Sequence, residues 1–461
     1  MQVSVALGAR AKIGTLLNGL VQAACQRCGC RPDPRNLRTW RQLLLGVLVK
    51  RSTRLLTVAQ VAVGQRRARS VKAAAMALGY FLNEARLAMR PFSTAFLEAA
   101  VRQLEWERLA TYRGKALLVI DPTEYEKRSR GRGKQGRQMQ YIGRVRRSGA
   151  QARGRRKKTG NKGGAGTTEK VATTFGYVDV WAGLVLKGKQ FLPLARHLFS
   201  SNHPKINSQN KVEETVLYRA LALLGRVGLP AIVVGDRGLG RKELIIQLVS
   251  RGYDLVVRID SDITVVADGV PGGALLSKVL ANLPWLGEVV WNRGEEGNLR
   301  CQARAVGATI RFSRSGRKND YQQATLNFLE LVPIDAPLES LLVATTLPLQ
   351  TLADAKGIAS VYAQRWAIES GFEMMHTWGQ DRFMVRRWKA IDRLLWVVAL
   401  AYTLMVLVLQ LPKLARFREQ AVAVLNRLSV VGRRLTVGKL AEAIGLDYDK
   451  HQRAWASAWF T

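Results

Sequence analysis

The hydrophobic and polar positions divide the chain into segments of different periodicity. Residues 1–112 and 413–461 repeat apolar side chains at helical spacing. Residues 113–259 and 341–412 combine short, continuous apolar runs typical of buried strands with helical stretches. Between them, residues 260–340 contain short apolar runs separated by Gly, Asn and Asp. The pattern predicts a helical N-terminal domain, an α/β core in two parts, an antiparallel β insert between those parts, and a helical C-terminal segment.

The apolar runs of the core and the insert predict individual elements. Core strands are predicted at 116–120, 172–180, 184–194, 231–235, 253–259 and 341–345, with a tight turn at Trp181-Ala-Gly. Core helices are predicted at 212–227 and 241–251, and the chain is predicted to be helical from 352 through Tyr362 and Glu369 into the apolar run that ends before Pro412. Short insert strands are predicted at 264–266, 288–291, 301–306, 308–312 and 325–331. An α/β fold, with a sheet flanked by helices, accommodates this order.

One run, residues 394–409, is apolar enough to suggest a membrane segment. It is shorter than the roughly 18–20 residues that spanning requires, so it predicts a buried helix and no membrane partner. Near the N-terminus, Arg10 and Lys12 interrupt the only early apolar stretch, and we therefore expect no signal peptide.

The charge of the chain points to a polyanionic partner. Of its 461 residues, 72 are Lys or Arg and 34 are Asp or Glu, which gives a net charge of +38. Hydrophobic residues make up 48% of the chain, which excludes a wholly disordered protein. A globular protein this basic usually binds nucleic acid.

Four cysteines exclude a disulfide scaffold and suggest a reducing compartment. Cys25, Cys28 and Cys30 offer three zinc ligands but no nearby fourth, so reduced thiols are favoured over a zinc site, which stays open as an alternative.

Two segments concentrate the positive charge. Residues 127–162 contain 15 Lys or Arg, 7 Gly and no acid, which predicts a phosphate-binding loop that includes Arg155, Arg156, Lys157 and Lys158. Residues 1–112 carry 18 Lys or Arg against 5 acids. Two short helices are predicted there, starting at Thr57 and Ser70 with Ser or Thr as caps, and a basic turn joins them. Such a pair suits helix-turn-helix DNA binding, and an ordinary helical packing domain is equally compatible.

Two of the core strands run into a carboxylate. Asp121 follows 116–120, and Asp236 follows 231–235. If those strands are parallel neighbours, the two carboxylates meet at one edge of the sheet, where functional groups collect in α/β folds. Paired carboxylates suit Mg²⁺, whereas either one alone is more simply explained as a cap or turn residue.

A third acid lies in a helical segment. Tyr362, Arg365 and Glu369 fall at i, i+3 and i+7, on one helix face that His376 continues. Such a face can combine a metal-binding carboxylate with phosphate-binding groups. The simpler alternative is an exposed helix with an Arg–Glu ion pair.

These three motifs together resemble the IS4-related group of insertion-sequence transposases, which are DDE enzymes with an RNase H-like core. The third motif, Tyr-x2-Arg-x3-Glu, is the most specific, and Ile120-Asp121-Pro-Thr123 and Val234-Gly-Asp236-Arg-Gly238 are similar to the first two. Their order, with a β insert before the glutamate helix, also resembles the family. One departure is His376, which stands where the family has Lys.

The resemblance implies an RNase H-like mixed sheet and a catalytic set of Asp121, Asp236 and Glu369 that binds two Mg²⁺ ions, with Mn²⁺ as a substitute. It implies that Tyr362 and Arg365 bind the scissile phosphate and that His376 does so weakly. We expect Arg382, Arg386 or Arg387 to compensate. Trp366 is expected either to stack on a flipped base or to lie in the core.

The expected partners are double-stranded DNA, as terminal inverted repeats and target, and a second copy of the chain in a synaptic complex. We expect no small-molecule substrate and a cytoplasmic, nucleoid-associated location of bacterial type. A nuclease or resolvase that cuts without strand transfer stays open, as do a non-catalytic DNA-binding derivative and a basic structural or RNA-binding protein.

Overall fold

The computed structural model describes residues 2–460 except 30, 65–69, 128–138, 147–172, 207, 268–272, 295–296, 314–320, 336 and 427–434. The basic residues Arg155, Arg156, Lys157 and Lys158 lie outside the described residues, as does Cys30.

The N-terminal region is helical, as predicted. Its helices are α1 Gln2–Arg27, α2 Pro34–Lys50, α3 Leu55–Gly64, α4 Val71–Glu84 and α5 Met89–Val101. Ser70 caps α4 by accepting a hydrogen bond from the backbone N–H of Ala73 at 3.1 Å, which confirms that prediction. The cap predicted at Thr57 is wrong, because α3 begins two residues earlier.

The strands form one mixed sheet. They are β1 Thr111–Tyr112, β2 Lys115–Lys127, β3 Gly143–Arg146, β4 Thr173–Leu186, β5 Gln190–Phe199, β6 Ala231–Gly235, β7 Asp254–Arg258, β8 Thr264–Val266, β9 Ala274–Leu275, β10 Gly287–Asn292, β11 Asn298–Phe312, β12 Gln322–Pro333 and β13 Leu341–Thr345. At its centre, β5, β4 and β2 pair antiparallel, and β6 and β7 run parallel to β2. This strand order, with helices packed on it, is consistent with the RNase H-like α/β fold.

The first core strand is longer than predicted. It runs through Asp121 and Pro122 to Lys127 and pairs with β4 up to the contact between Lys127 and Phe175. The parallel pairing of β2 with β6 ends at Ile120, so beyond this residue one side of β2 is a free edge. Pro122 is tolerated there because an edge position does not require its missing N–H. Within the predicted basic loop, Gly143–Arg146 form the strand β3, which pairs with β4.

The turn predicted at Trp181-Ala-Gly is wrong. This segment lies inside β4, where the pairing with β5 shifts register between Ala182 and Gly183. Gly183 accommodates this irregularity because a Cβ there would lie 2.2 Å from the carbonyl oxygen of Leu192. The chain reverses later, at Gly188 and Lys189, which both have positive φ.

The insert is antiparallel, as predicted, and it continues the core sheet through the pairing of β12 with β13. The two strands predicted at 301–306 and 308–312 are in fact the single strand β11, because Gly307 stays in register opposite Asn327.

The helices of the core and the C-terminal region pack around this sheet. They are α6 Gln209–Arg226, α7 Lys242–Ser250, α8 Leu276–Ala281, α9 Leu352–Ala363, α10 Trp366–Thr377, α11 Trp388–Gln410, α12 Ala415–Asn426, α13 Val437–Lys450 and α14 Gln452–Phe460. The helix predicted to run unbroken from 352 is therefore three helices, α9, α10 and α11.

Helix α11 contains the long apolar run and is long and apolar enough to cross a membrane by length and composition alone. Most of its apolar window is buried inside the protein, as the sequence predicts. It is joined to the sheet by the fully buried Arg196 of β5, which pairs with Asp179 of β4 at 2.9 Å and with Asp392 of α11 at 2.9 Å.

The C-terminal helices pack against the N-terminal ones. Helix α14 contacts α1 and α2, and α13 contacts α2. The guanidinium of Arg10 in α1 donates two hydrogen bonds of 2.7 Å to Asp447 of α13, which also accepts a bond from the indole N–H of Trp455. The two ends of the chain thus form one helical layer.

A buried arginine attaches α4 to the core. Arg393 of α11 is 7% exposed and donates to the backbone carbonyls of Phe81, Leu82, Ala85 and Leu87 at 2.6–3.3 Å. These carbonyls belong to the end of α4 and the turn after it, where helix carbonyls lack partners. Arg393 therefore fixes the direction of α4 relative to the sheet.

We predict that Arg393→Met lowers the free energy of unfolding by about 2–4 kcal/mol, because it leaves several buried carbonyls without a donor. Chemical denaturation followed by circular dichroism measures this. Lys389→Met, at an exposed position one turn earlier in α11, is the matched control and should change stability little. Equal stability of the two variants would contradict this role for Arg393.

Candidate active site

The two aspartates predicted to meet lie where the parallel strands β2 and β6 stop pairing with each other. Strands β2 and β6 are parallel, and their register runs from Ala116 opposite Ala231 to Ile120 opposite Gly235. Asp121 and Asp236 are the next residues on each strand, so the predicted neighbourhood is confirmed.

The chain turns sharply after the second aspartate. Asp236 begins a short 3₁₀ turn, Arg237–Leu239, and its carboxylate accepts a 2.7 Å hydrogen bond from the backbone N–H of Arg237. Gly235 permits this turn, because a Cβ there would lie 2.3 Å from the side chain of Leu239.

The third acid comes from the helical region across the site. Helix α9 ends at Ala363, and the chain makes a tight turn in which the N–H of Arg365 donates to the carbonyl of Tyr362 at 3.0 Å. Helix α10 then begins at Trp366 and places Glu369 in its first turn. The predicted helix face is thus interrupted at Arg365, although its residues still converge.

Arg365 connects two of the three acids. A single guanidinium nitrogen, Nη1, lies 3.2 Å from Oδ2 of Asp121 and 2.6 Å from Oε1 of Glu369. The side chain of Arg365 is 9% exposed, that of Asp121 16% and that of Glu369 33%. The sequence suggested an exposed ion pair between Arg365 and Glu369. The pair is present, but it is partly buried, and Arg365 also binds Asp121.

The carboxylates perturb one another. Burial raises the pKa of Asp121 to about 7, Arg365 lowers it, and the nearby charges of Glu369 and Asp236 raise it further. Burial also raises the pKa of Glu369, again with Arg365 opposing and Asp236 reinforcing the shift. Three carboxylates therefore share one electrostatic environment, and the guanidinium only partly compensates their charge.

Tyr362 lies in the same environment. Its ring is 3% exposed, and burial together with the charge of Asp236 raises the pKa of its hydroxyl to about 12. The phenol consequently stays protonated at neutral pH and can donate a hydrogen bond.

The donor chemistry fits a divalent ion, because three carboxylates supply the oxygen ligands that Mg²⁺ prefers. The side-chain positions do not yet enclose one: in the described part of the chain, no three His, Cys, Asp or Glu side chains are arranged to hold a metal ion. Arg365 lies between Asp121 and Glu369 instead, so metal binding to both requires its guanidinium to move.

A fourth carboxylate, Glu213 of α6, was not predicted. It is 5% exposed, contributes to raising the pKa of Asp121, and pairs with Arg241 at 2.7 Å. Arg241 also donates to the carbonyl of Gly238, so the pair holds the turn that follows Asp236 against α6. No local pattern could have predicted this pair, because Glu213 and Arg241 are 28 positions apart and match no motif.

His376 and Trp366 face protein rather than open space. Burial lowers the pKa of His376, which favours the neutral ring, and the ring packs edge-on against Tyr125 at 6.0 Å between centroids. Trp366 is half-buried beneath the β10–β11 turn, where a Cβ on Gly294 would lie 2.8 Å from its ring. The guanidinium carbon of Arg365 lies 4.8 Å from the centroid of the Trp366 ring. Roles of either residue in DNA binding stay predictions.

Arg386 and Arg387 are exposed in the segment between α10 and α11. Arg387 pairs with Glu84 of α4 at 2.7 Å. The backbone carbonyl of Arg386 accepts a 2.9 Å hydrogen bond from the backbone N–H of Gln140. The Arg386 side chain is exposed.

Comparison with known families identifies the domain. Residues 201–404 match the family described as the transposase DDE domain. The match includes Asp236 and Glu369, whereas Asp121 lies before it. No curated protein matches the chain. Proteins with this domain are in general transposition enzymes that act on DNA and use divalent metals. Residues 201–404 are therefore similar to the DDE domain of transposases.

Proposed function

We propose that this protein is the DNA transposase of an insertion sequence of the IS4-related group. In this role it binds terminal inverted repeats and catalyses metal-dependent strand cleavage followed by strand transfer. The observation that carries the proposal is that Arg365 contacts both Asp121 and Glu369, while Asp236 lies nearby, just beyond the segment where β2 and β6 pair.

Asp121, Asp236 and Glu369 are the residues that would hold two Mg²⁺ ions, or Mn²⁺ in their place. When bound, such ions activate the attacking oxygen and stabilise the leaving oxygen of an in-line phosphodiester displacement. The chain itself positions the DNA, because the protonated Tyr362 can donate to a phosphate oxygen and the guanidinium of Arg365 can pair with a phosphate. We infer that Arg365 exchanges its carboxylate partners for the scissile phosphate when the ions enter.

The other proposed features concern partners and place of action. A net charge of +38 supports a long contact with double-stranded DNA, which includes both the transposon ends and the target. Two copies of the chain would bring the two ends together in a synaptic complex. The protein would act in the cytoplasm on nucleoid DNA.

A nuclease or resolvase without strand transfer is the second candidate, since the same acids serve both reactions. Incubating the protein with Mg²⁺ and a labelled duplex from the end of its element, together with a target plasmid, separates the two. Labelled DNA joined to the plasmid supports the transposase, and cut but unjoined ends select the nuclease.

We predict that Asp121→Asn, Asp236→Asn and Glu369→Gln each reduce DNA cleavage in Mg²⁺ by at least about 10³-fold, because each removes one charged ligand. Gel analysis of end-labelled duplex measures the rate. Glu373→Gln is the matched control, since Glu373 is exposed one turn beyond Glu369. Cleavage by the Asn and Gln variants at the parental rate would refute the catalytic assignment.

We also predict an effect of pH on the metal-free protein. Because burial raises the pKa of Asp121 from 3.8 to about 7, ionising it destabilises the fold by an amount that grows between about pH 4 and 7 and is complete above pH 7. Asp121→Asn should therefore raise the melting temperature in EDTA at pH 8, and the gain should shrink as the pH falls to 5. A gain that is equal at both pH values would contradict the shifted pKa.

A further inference from the structure

The most exposed large apolar side chains of the described residues lie on neighbouring elements. Met384 is 70% exposed, Met76 68%, Tyr80 67% and Leu56 61%. Met76 and Tyr80 belong to α4, Leu56 to the adjoining α3, and Met384 to the segment between α10 and α11. Single exposed apolar residues are common, but the grouping of these four requires an explanation.

The elements that carry these four residues are connected by packing and by an ion pair, and we call the set of Leu56, Met76, Tyr80 and Met384 the α4 surface. Helix α3 packs against α4, and Arg387 binds Glu84 at the end of α4 at 2.7 Å. Arg393 fixes the same end of α4 to the core.

The face of α4 has a defined composition. Lys72, Met76 and Tyr80 are spaced by four residues, so they share one side of the helix, and the exposed Ala73 and Ala77 lie beside them. The face thus offers an aromatic ring, a flexible thioether and two small methyl groups, with one cation near the helix N-terminus.

The exposure of Met384 is fixed by its neighbours. Phe383 is 2% exposed, and its carbonyl accepts a hydrogen bond from the ammonium of Lys127 at 3.3 Å. On the other side, Gln140 bonds the carbonyl of Arg386 at 2.9 Å and the N–H of Trp388 at 2.8 Å. The segment is therefore anchored at both ends and holds Met384 outward.

Charge identifies the occupant. The same elements and the residues that adjoin them in the chain carry exposed basic residues, which form a basic border: Arg51, Arg54, Lys72, Arg382 and Arg386. These cations complement the phosphates of a DNA duplex, whereas they repel the same basic surface of a second copy. In the major groove, the apolar groups that such a helix can contact are the methyl groups of thymine.

We propose that α4 is the helix that reads the DNA sequence, and that it does so mainly through apolar contacts of Met76 and Tyr80 with thymine methyl groups. The basic border binds the phosphates on either side. Met384 contacts the same duplex between α4 and the catalytic core. This inference rests on the proposed function, because it takes the transposon end as the ligand.

The test measures binding in EDTA, so it does not depend on catalysis. Full-length protein first selects preferred duplexes from a library of random sequence. The affinity for the selected duplex is then compared with that for the same duplex in which deoxyuridine replaces thymidine. We expect a loss of about 4-fold for each methyl group that the helix contacts.

The double variant Met76→Ser, Tyr80→Ser should bind the two duplexes equally and should select a less defined sequence. Val290→Ser, at a side chain of the β insert that is 57% exposed, is the control and should keep the parental preference. Arg386→Ala should weaken binding to every sequence alike and reduce its salt dependence, as a phosphate contact does.

Three results would overturn the proposal. The parental protein could bind both duplexes equally. Alternatively, the double variant could lose as much affinity as the parental protein when deoxyuridine replaces thymidine. The double variant could also lose self-association in sedimentation equilibrium while keeping its sequence preference, which would make the surface a contact between copies. Failure of the proposed function appears differently, as sequence-selective binding without cleavage when Mg²⁺ is supplied.

Discussion

The bridge that Arg365 makes between Asp121 and Glu369 is the interaction on which the candidate site depends. The two carboxylates come from a strand and a helix, and with Asp236 beside them they repel one another in a partly buried space. A positive charge between them relieves this repulsion. The guanidinium supplies that charge here at 3.2 and 2.6 Å, and our account assigns the same position to divalent ions during catalysis.

The scaffold places these groups through a small number of constraints. The parallel pairing of β2 with β6 sets the two aspartates side by side, and the tight turn between α9 and α10 brings Arg365 and Glu369 opposite them. Glu213 and Arg241 hold the turn after Asp236. Elsewhere, buried arginines attach helices to the sheet, so that α4 has a fixed direction relative to the acids.

Much of this could be predicted from sequence wherever local signals agree with the fold. Short apolar runs that end in polar residues predicted the strands at 231–235 and 341–345. The same pattern singled out Asp121 and Asp236. The turn predicted at 181–183 failed because a glycine serves a bulge as readily as a reversal. The helix break at Arg365 and the role of Glu213 depend on contacts between distant segments, and neither leaves a local pattern.

The claim that Asp121, Asp236 and Glu369 form one site for divalent ions is tested most directly by locating the ions. Crystals of the protein bound to a duplex and soaked in Mn²⁺ would show them by anomalous scattering. We predict manganese peaks within about 2.5 Å of oxygens from all three carboxylates, with the Arg365 guanidinium moved onto a phosphate. An Arg365 still bound to Asp121 and Glu369, with no manganese at these carboxylates, would contradict it.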